Sequence, residues 1–269
     1  MMRVAVMGAG GRMGTTVCRA VAGDPELELV AAVDPHHTGI DLAQMVGVQG
    51  TGLQVAGAID ALADARAEVA VDFTEASAAI ENLRWCAGHA VHAVVGTTGL
   101  SDDDMVEVAK LFENSEANCV VAPNFAIGAV LMMRLAELAA PWFETAEVIE
   151  LHHDQKVDAP SGTAMLTAQR MGEARQRRGS GAWAPDPTRS HVVEGARGGA
   201  GPGGVRVHSV RLRGLVAHQE VLLGTTGQTL TIRHDSIDRT SFMPGVLVAI
   251  KAVASRPGLT VGLDTLLDL

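Results

Sequence analysis

Fifteen residues, Glu150-Leu151-His152-His153-Asp154-Gln155-Lys156-Val157-Asp158-Ala159-Pro160-Ser161-Gly162-Thr163-Ala164, gather two imidazoles, one ammonium and a helix start. Imidazole and amine are the groups best suited to moving protons near neutral pH. Pro160 stops whatever precedes it and Ser161 is a good N-cap; Ala164, Met165, Ala168 and Met171 then give the following helix a buried stripe. The amides of Gly162 and Thr163 point at a space beside the histidines, where the helix dipole and the cations together would hold a carboxylate. In a regular strand His152 and His153 face opposite ways, so both reach one ligand only if the strand ends there.

The plainer alternative makes the histidines surface residues and Ser161 a cap and nothing more. Three observations weigh against it. Of 21 basic residues only Lys110, Lys156 and Lys251 are lysines, so one inside this cluster hints that a compact, titratable ammonium is wanted. The chain has no Tyr, which removes a Tyr-Lys proton-donor pair, and Cys18, Cys86 and Cys119 are too scattered for a zinc site, so no metal is expected. The segment also follows a dinucleotide-binding pattern, where a reductase needs its substrate site.

That pattern begins at the N-terminus. Val4-Ala5-Val6-Met7 reads as a strand, Gly8-Ala9-Gly10-Gly11-Arg12-Met13-Gly14 as a turn, and Thr15 onward as a helix. Glycine permits the unusual backbone angles of such a turn and lets a pyrophosphate approach the amides of the helix N-terminus. The spacing is Gly8-x-x-Gly11-x-x-Gly14, with Met13 in the third slot of the commoner Gly-x-Gly-x-x-Gly. Asp34, twenty residues past Gly14 at the end of the next strand, is placed to accept the adenosine ribose hydroxyls. Thr74, Gly96-Thr97-Thr98-Gly99 and Ala122-Pro123-Asn124-Phe125 follow later strands at their carboxyl ends, the edge where open α/β sheets bind ligands. Asp34 favours NADH, whereas Arg12 offers a partner for the 2′-phosphate of NADPH, so dual use is expected.

The elements that must position these residues are short. Apolar runs at 3–7, 29–33, 69–73, 92–95 and 119–122 read as strands buried on both faces. Helical spacing at 12–22, 75–87 and 102–113 alternates with them, and Ser101 with Asp104 is a capping-box pattern. Strand–helix alternation implies a doubly wound, Rossmann-like parallel sheet. After Asn124 the pattern changes to a helix to about Ala140, a strand over 145–152, a helix from Gly162 to about Arg178, and strands at 205–212, 216–223 and 229–233. This is an α+β domain with an antiparallel or mixed sheet. The segment 195–204 is too rich in glycine to pack, and Arg175, Arg177 and Arg178 read as a solvated helix end. A helix around 244–254 is expected to return to the first domain. The region 35–60, with His36 and His37, has no assigned role, and solvent exposure is expected for both histidines.

A chain of 269 residues, 47% hydrophobic and 19% charged, is an ordinary folded protein with room for two domains. A formal charge of −10 argues against nucleic-acid and membrane partners, which demand a clustered positive surface. The odd, widely spaced cysteines read as reduced thiols in a cytoplasm, and the first apolar run is too short for a signal peptide.

The glycine turn 8–14, Gly96-Thr97-Thr98-Gly99, Ala122-Pro123-Asn124-Phe125, the segment 150–164 and the run from Arg211 through His218 to Glu220 together resemble the dihydrodipicolinate reductase family. The likeness covers essentially the whole chain, and the His-His-x-x-Lys-x-Asp-Ala-Pro-Ser-Gly-Thr string is highly specific. It implies hydride transfer from NADH or NADPH to the conjugated ring of a cyclic dicarboxylate, followed by protonation, in diaminopimelate and lysine biosynthesis. It implies that His152 donates or accepts a proton, Lys156 is a second donor, His153 is a substrate ligand, and Gly162 and Thr163 hold a carboxylate. It also implies a homotetramer built through the sheet of the substrate domain, with residues 124–233 in that domain and 1–123 with 234–269 in the dinucleotide domain. Some relatives carry a second basic residue where this chain has Ala9, which leaves NADPH recognition to Arg12. Two rivals remain: a nicotinamide oxidoreductase acting on an aldehyde or sugar, and a non-catalytic dinucleotide sensor. The first gives no reason for the anion-binding Ser161-Gly162-Thr163 turn, and the second has no need of His152 or Lys156.

Overall fold

The computed structural model describes residues 1–48 and 51–269. The chain forms two compact units, Met1–Phe125 with Phe242–Leu269, and Ala126–Ser241.

In the first unit, β1 (Met2–Met7), β2 (Leu27–Val33), β3 (Val69–Asp72), β4 (His92–Val95) and β5 (Cys119–Val121) pair in parallel. Val4, Val6, Val69, Val71, Val94 and Val120 are fully buried, which is why these strands read as continuous apolar runs rather than alternating ones. Between them lie α1 (Arg12–Gly23), α2 (Leu42–Val46), α3 (Ala61–Asp64), α4 (Ala76–Gly88) and α5 (Asp102–Glu113). Leu83 and Cys86 of α4 and Val108 and Phe112 of α5 join one core with the sheet. Ser101 and Asp104 form the expected capping box at the start of α5.

The second unit holds α6 (Ile127–Ala139), β6 (Thr145–His152), α7 (Gly162–Arg178), β7 (Gly199–Ala200), β8 (Arg206–Arg211), β9 (Ala217–Thr225) and β10 (Gln228–Ser236). Its sheet order is β10-β9-β6-β8-β7, with β6 and β8 parallel and the other pairs antiparallel. The sheet is therefore mixed. Val148, Val207, Val221 and Leu223 pack with Ala136 of α6 and Ala164, Ala168 and Met171 of α7. The alternate residues Ile149, Leu151 and Leu222 are only partly covered.

The chain then returns to the first unit through α8 (Met243–Ala252) and β11 (Leu259–Val261). β11 adds a sixth strand, giving the order β11-β5-β4-β3-β1-β2 and the doubly wound class expected.

Several details differ from the sequence expectation. Strand β10 runs past Arg233 to Ser236 because β9 pairs with it as far as Ala217. The glycine-rich segment 195–204 does pack: Gly199 and Ala200 pair with β8, and a Cβ on Gly172 of α7 would lie 2.4 Å from Gly203 Cα. Glycine is what lets the two backbones approach. Arg175 is 5% exposed rather than solvated, donating to the carbonyls of Ala140, Phe143, Ser180, Gly181 and Ala182. Region 35–60 contains a 3-10 turn at Pro35–His37, α2, and bridges joining Val33 to Ala56 and Asp41 to Gln54; Gln49 and Gly50 lie outside the described residues. Cys18, Cys86 and Cys119 are free and buried, and burial pushes the first two thiols up to about 12. Among the described residues no helix is long and apolar enough to cross a membrane.

Candidate active site

At the end of β1 the chain turns through Gly8 at φ 73°, a left-handed conformation glycine adopts freely. A Cβ on Gly14 would lie 2.0 Å from Gly8 O, so only glycine lets α1 start so close to the strand. Gly11 is the N-cap of α1 and has no side chain to cap the first turn; Arg12 and Met13 open the helix. These residues fit a pyrophosphate, which would take the place of a capping side chain at a positive helix end.

Asp34 follows β2 and is 7% exposed. Its Oδ2 accepts from Gly10 N at 2.9 Å and its Oδ1 from His36 N at 2.9 Å, with His37 Nδ1 at 3.0 Å. Burial pushes this carboxyl up, but the nearby His37 imidazole and the bonds from Gly10 and His36 outweigh it and hold the group below its usual range. His36 is exposed, as expected, whereas His37 lies against the glycine turn: a Cβ on Gly10 would meet its Nδ1 at 2.1 Å.

The carboxyl ends of β3 and β4 are held by Asp72, which is fully buried. Its carboxylate accepts from Thr74 N, Thr74 Oγ1 and Thr97 Oγ1 at 2.8, 2.7 and 3.0 Å, and from Asn82 Nδ2 at 2.8 Å. Thr97 is buried and Thr98 exposed. The Phe73 ring covers Gly96, where a Cβ would lie 2.1 Å from it, and stands 6.0 Å from the Phe125 ring. Ala122, Pro123, Asn124 and Phe125 continue from β5, with Ala122 and Phe125 buried. Asp72 and Phe73 escaped the sequence reading, although both stand at the end of a strand immediately before the quoted Thr74.

In the second unit β6 ends at His152, which frees His153 from strand alternation. His153 Nδ1 accepts from Gln155 N at 3.2 Å. Lys156 Nζ donates to both carboxylate oxygens of Asp158 at 2.7 Å, and this bond holds Asp158 below its usual range. Ser161 caps α7 by accepting from Ala164 N at 3.2 Å, and Gly162 and Thr163 are the first residues of the helix.

A carboxylate that sequence analysis left unassigned stands among these groups. Glu150, wholly buried, accepts from His152 Nδ1, from Arg211 Nη1 and Nη2 at 2.9 and 2.8 Å, and from Ser161 N at 3.2 Å. Burial pushes its carboxyl up, and the bonds from His152 and Arg211 more than reverse that, holding it at about 2. Strand period could have found it, since Glu150 and His152 are two residues apart on one face. The cavity of about 930 Å³ around Trp183, Asp186, Arg197 and Arg206 includes none of these residues.

A glycine-turn dinucleotide unit followed by a unit with a histidine-lysine cluster at a helix N-terminus defines a two-domain nicotinamide-dependent oxidoreductase. Residues 2–125 match the family described as dihydrodipicolinate reductase, N-terminus, and residues 128–267 match dihydrodipicolinate reductase, C-terminus. The chain belongs to the dihydrodipicolinate reductase family. It is 52% identical over 271 residues to 4-hydroxy-tetrahydrodipicolinate reductase of Cutibacterium acnes, covering 100% of both chains. The Streptomyces coelicolor enzyme of the same name is 50% identical over 269 residues, 100% of this chain and 98% of that one. The solved structure of dipicolinate-bound dihydrodipicolinate reductase from Paenisporosarcina sp. TG-14 matches with a TM-score of 0.82 at 41% identity, covering 98% of this chain and 99% of that one.

Proposed function

We propose that this chain reduces 4-hydroxy-tetrahydrodipicolinate, by way of its dehydrated form, to tetrahydrodipicolinate in diaminopimelate and lysine biosynthesis. The observation that carries the reading is that Glu150 joins His152 Nδ1 to Ser161 N at the N-terminus of α7, with His153 and Lys156 on the loop that connects them, a set of cations and amides that suits a cyclic dianion that must be protonated.

Reduced nicotinamide, when bound, supplies the hydride. Gly8, Ala9, Gly10, Gly11, Arg12 and Met13 hold the pyrophosphate, and Asp34 takes the adenosine ribose. Gly96, Thr97, Thr98, Ala122, Pro123, Asn124 and Phe125 line the nicotinamide half. Gly162 and Thr163 hold one substrate carboxylate with their amides, and His153 contacts the ring substituents. His152 supplies the proton from Nε2, the ring nitrogen turned away from Glu150, and Lys156 serves as a second donor. Asp158 holds the ammonium until substrate competes for it.

Asp34 and Arg12 support use of both NADH and NADPH. Comparable catalytic efficiency with the two is expected; a preference of several orders of magnitude would rule it out. The partly covered face of Ile149, Leu151 and Leu222, and the long edge strand β10, support assembly as a homotetramer through this sheet. Light scattering should give the mass of four chains, and a monomer would refute it. Free buried thiols suit a cytoplasmic enzyme.

The direct test adds the fresh condensation product of aspartate semialdehyde and pyruvate and follows oxidation of NADH and NADPH, with 2,6-pyridinedicarboxylate as competitor. Turnover blocked by the dicarboxylate is expected. In the same assay Lys156→Ala should abolish turnover with NADH still bound, and His152→Gln should lower kcat about a hundredfold. Binding of NADH without turnover by the unaltered chain would favour the sensor.

A further inference from the structure

Burying an ionised carboxylate is costly, and a strand position behind a proton donor is an expensive place to keep one. Glu150 occupies such a position with every available direction used: a bidentate guanidinium from Arg211 on β8, the amide of Ser161 at the N-cap of α7, and Nδ1 of His152. Donors from β6, from the N-cap of α7 and, 61 residues away, from β8 meet on one carboxylate. We propose that Glu150 is a positioning residue that fixes the tautomer of His152 and anchors it to the start of α7, where the substrate carboxylate is seated. This inference rests on the role proposed above for His152.

The argument follows from donor and acceptor chemistry. An ionised carboxylate only accepts, so the ring nitrogen facing it must carry a hydrogen. Nδ1 is therefore the protonated nitrogen of the neutral ring, and Nε2 is left to exchange a proton with a ligand. When Nε2 gains its proton the imidazolium faces an anion already in place, so no solvent need reorganise. Through Oε1 the same carboxylate holds Ser161 N, which fixes the imidazole relative to the Gly162 and Thr163 amides. Arg211 extends the node to the lysine loop, donating to the carbonyls of Lys156 at 3.3 Å and Asp158 at 2.6 Å.

The test is a double-mutant cycle of Glu150→Gln and His152→Gln, read as kcat, with the NADH dissociation constant measured for each protein. Glu150→Gln should lower kcat about tenfold or more and leave NADH binding within about twofold. In the His152→Gln background the same substitution should cost less than about twofold, because its effect travels through the ring. Losses that multiply would overturn the proposal, as would an unchanged kcat for Glu150→Gln when His152→Gln is impaired. His152→Gln with full kcat would instead overturn the role of His152 itself. Histidine ¹⁵N spectra of the unaltered protein supply a reading that survives if Glu150→Gln does not fold. A hydrogen on Nδ1 is expected in both the neutral and the protonated ring of His152, and a neutral ring protonated only on Nε2 refutes the proposal.

Discussion

Thr97 Oγ1 donates to Asp72 Oδ1 at 3.0 Å, tying the turn after β4 to the last residue of β3. Asp72 also takes both donors of Thr74 and the amide of Asn82, so one buried carboxylate shapes the two turns proposed above to line the cofactor. Asp72→Ala removes the common acceptor of Thr74, Thr97 and Asn82 from a buried position. A stability loss of about 2–4 kcal/mol is expected, from the usual cost of stranded buried groups. The NADH dissociation constant should rise about tenfold, since the turns lose their common anchor, equivalent to about 1.4 kcal/mol. Calorimetric titration with NADH checks it, and an unchanged constant would separate Asp72 from the cofactor site.

Arg175 presents a different kind of anchor. The residue is 5% exposed, and its guanidinium stacks 3.9 Å from the Trp183 ring and gathers carbonyls from the end of α6 and from the chain after α7. Arg175→Ala should destabilise the second unit by about 3 kcal/mol or more, as buried acceptors lose their donor. Arg175→Lys should recover little, because an ammonium cannot span the same fork. Thermal unfolding followed by tryptophan fluorescence distinguishes this from the solvated helix end that the arginine run suggests: an exposed Arg175 would leave the midpoint unmoved.

That arginine shows where sequence stops being informative. The parallel strands were readable because Val-rich runs such as Val69–Asp72 are buried on both faces and carry no competing pattern. β11 is not legible because Thr260 interrupts its apolar run and none of its residues is fully buried, unlike the equally short Cys119–Val121 of β5. The histidines, Lys156 and the Ser161 cap were found from residue type and spacing within one segment. Glu150 lay inside the quoted string, but its role depends on which face of β6 it shares. Arg211 was harder still: it reaches Glu150 across 61 residues, and only the parallel pairing of His152 with Arg211 brings them together. The local arrangement of that segment was therefore legible, and the buried network around Glu150 was not, because that network is a property of topology.

Acid titration tests the same network thermodynamically. Glu150 sits at about 2 in the folded chain against an ordinary value of 4.5, so the folded state binds its proton less readily than the unfolded one. The stabilisation is fully present above pH 4.5 and is lost as the pH falls toward 2. It amounts to about 3 kcal/mol, from the size of the shift. The stability difference between the unaltered protein and Glu150→Gln should shrink across that acidic window. Urea unfolding at pH 7 and at successively lower pH measures it; a difference independent of pH would mean that the carboxylate is not the group concerned.

The amides at the start of α7 can be tested without touching a side chain. Proline is well tolerated at the first position of a helix, where the missing N–H has no intrahelical acceptor. Gly162 is that position, and Ser161 before it has φ −66° and ψ 149°, an extended conformation that a following proline requires. A Cβ at Gly162 meets nothing within 4 Å, so the substitution has room. Gly162→Pro should therefore fold with its melting temperature nearly unchanged while deleting one of the two amides proposed to hold the substrate carboxylate. KM for the dicarboxylate should rise about tenfold, the scale of a lost hydrogen bond to a charged group, with NADH binding unaffected. A KM equal to that of the unaltered enzyme would show that the carboxylate is held elsewhere, and Lys156 and His153 would then be the groups to examine for its seat.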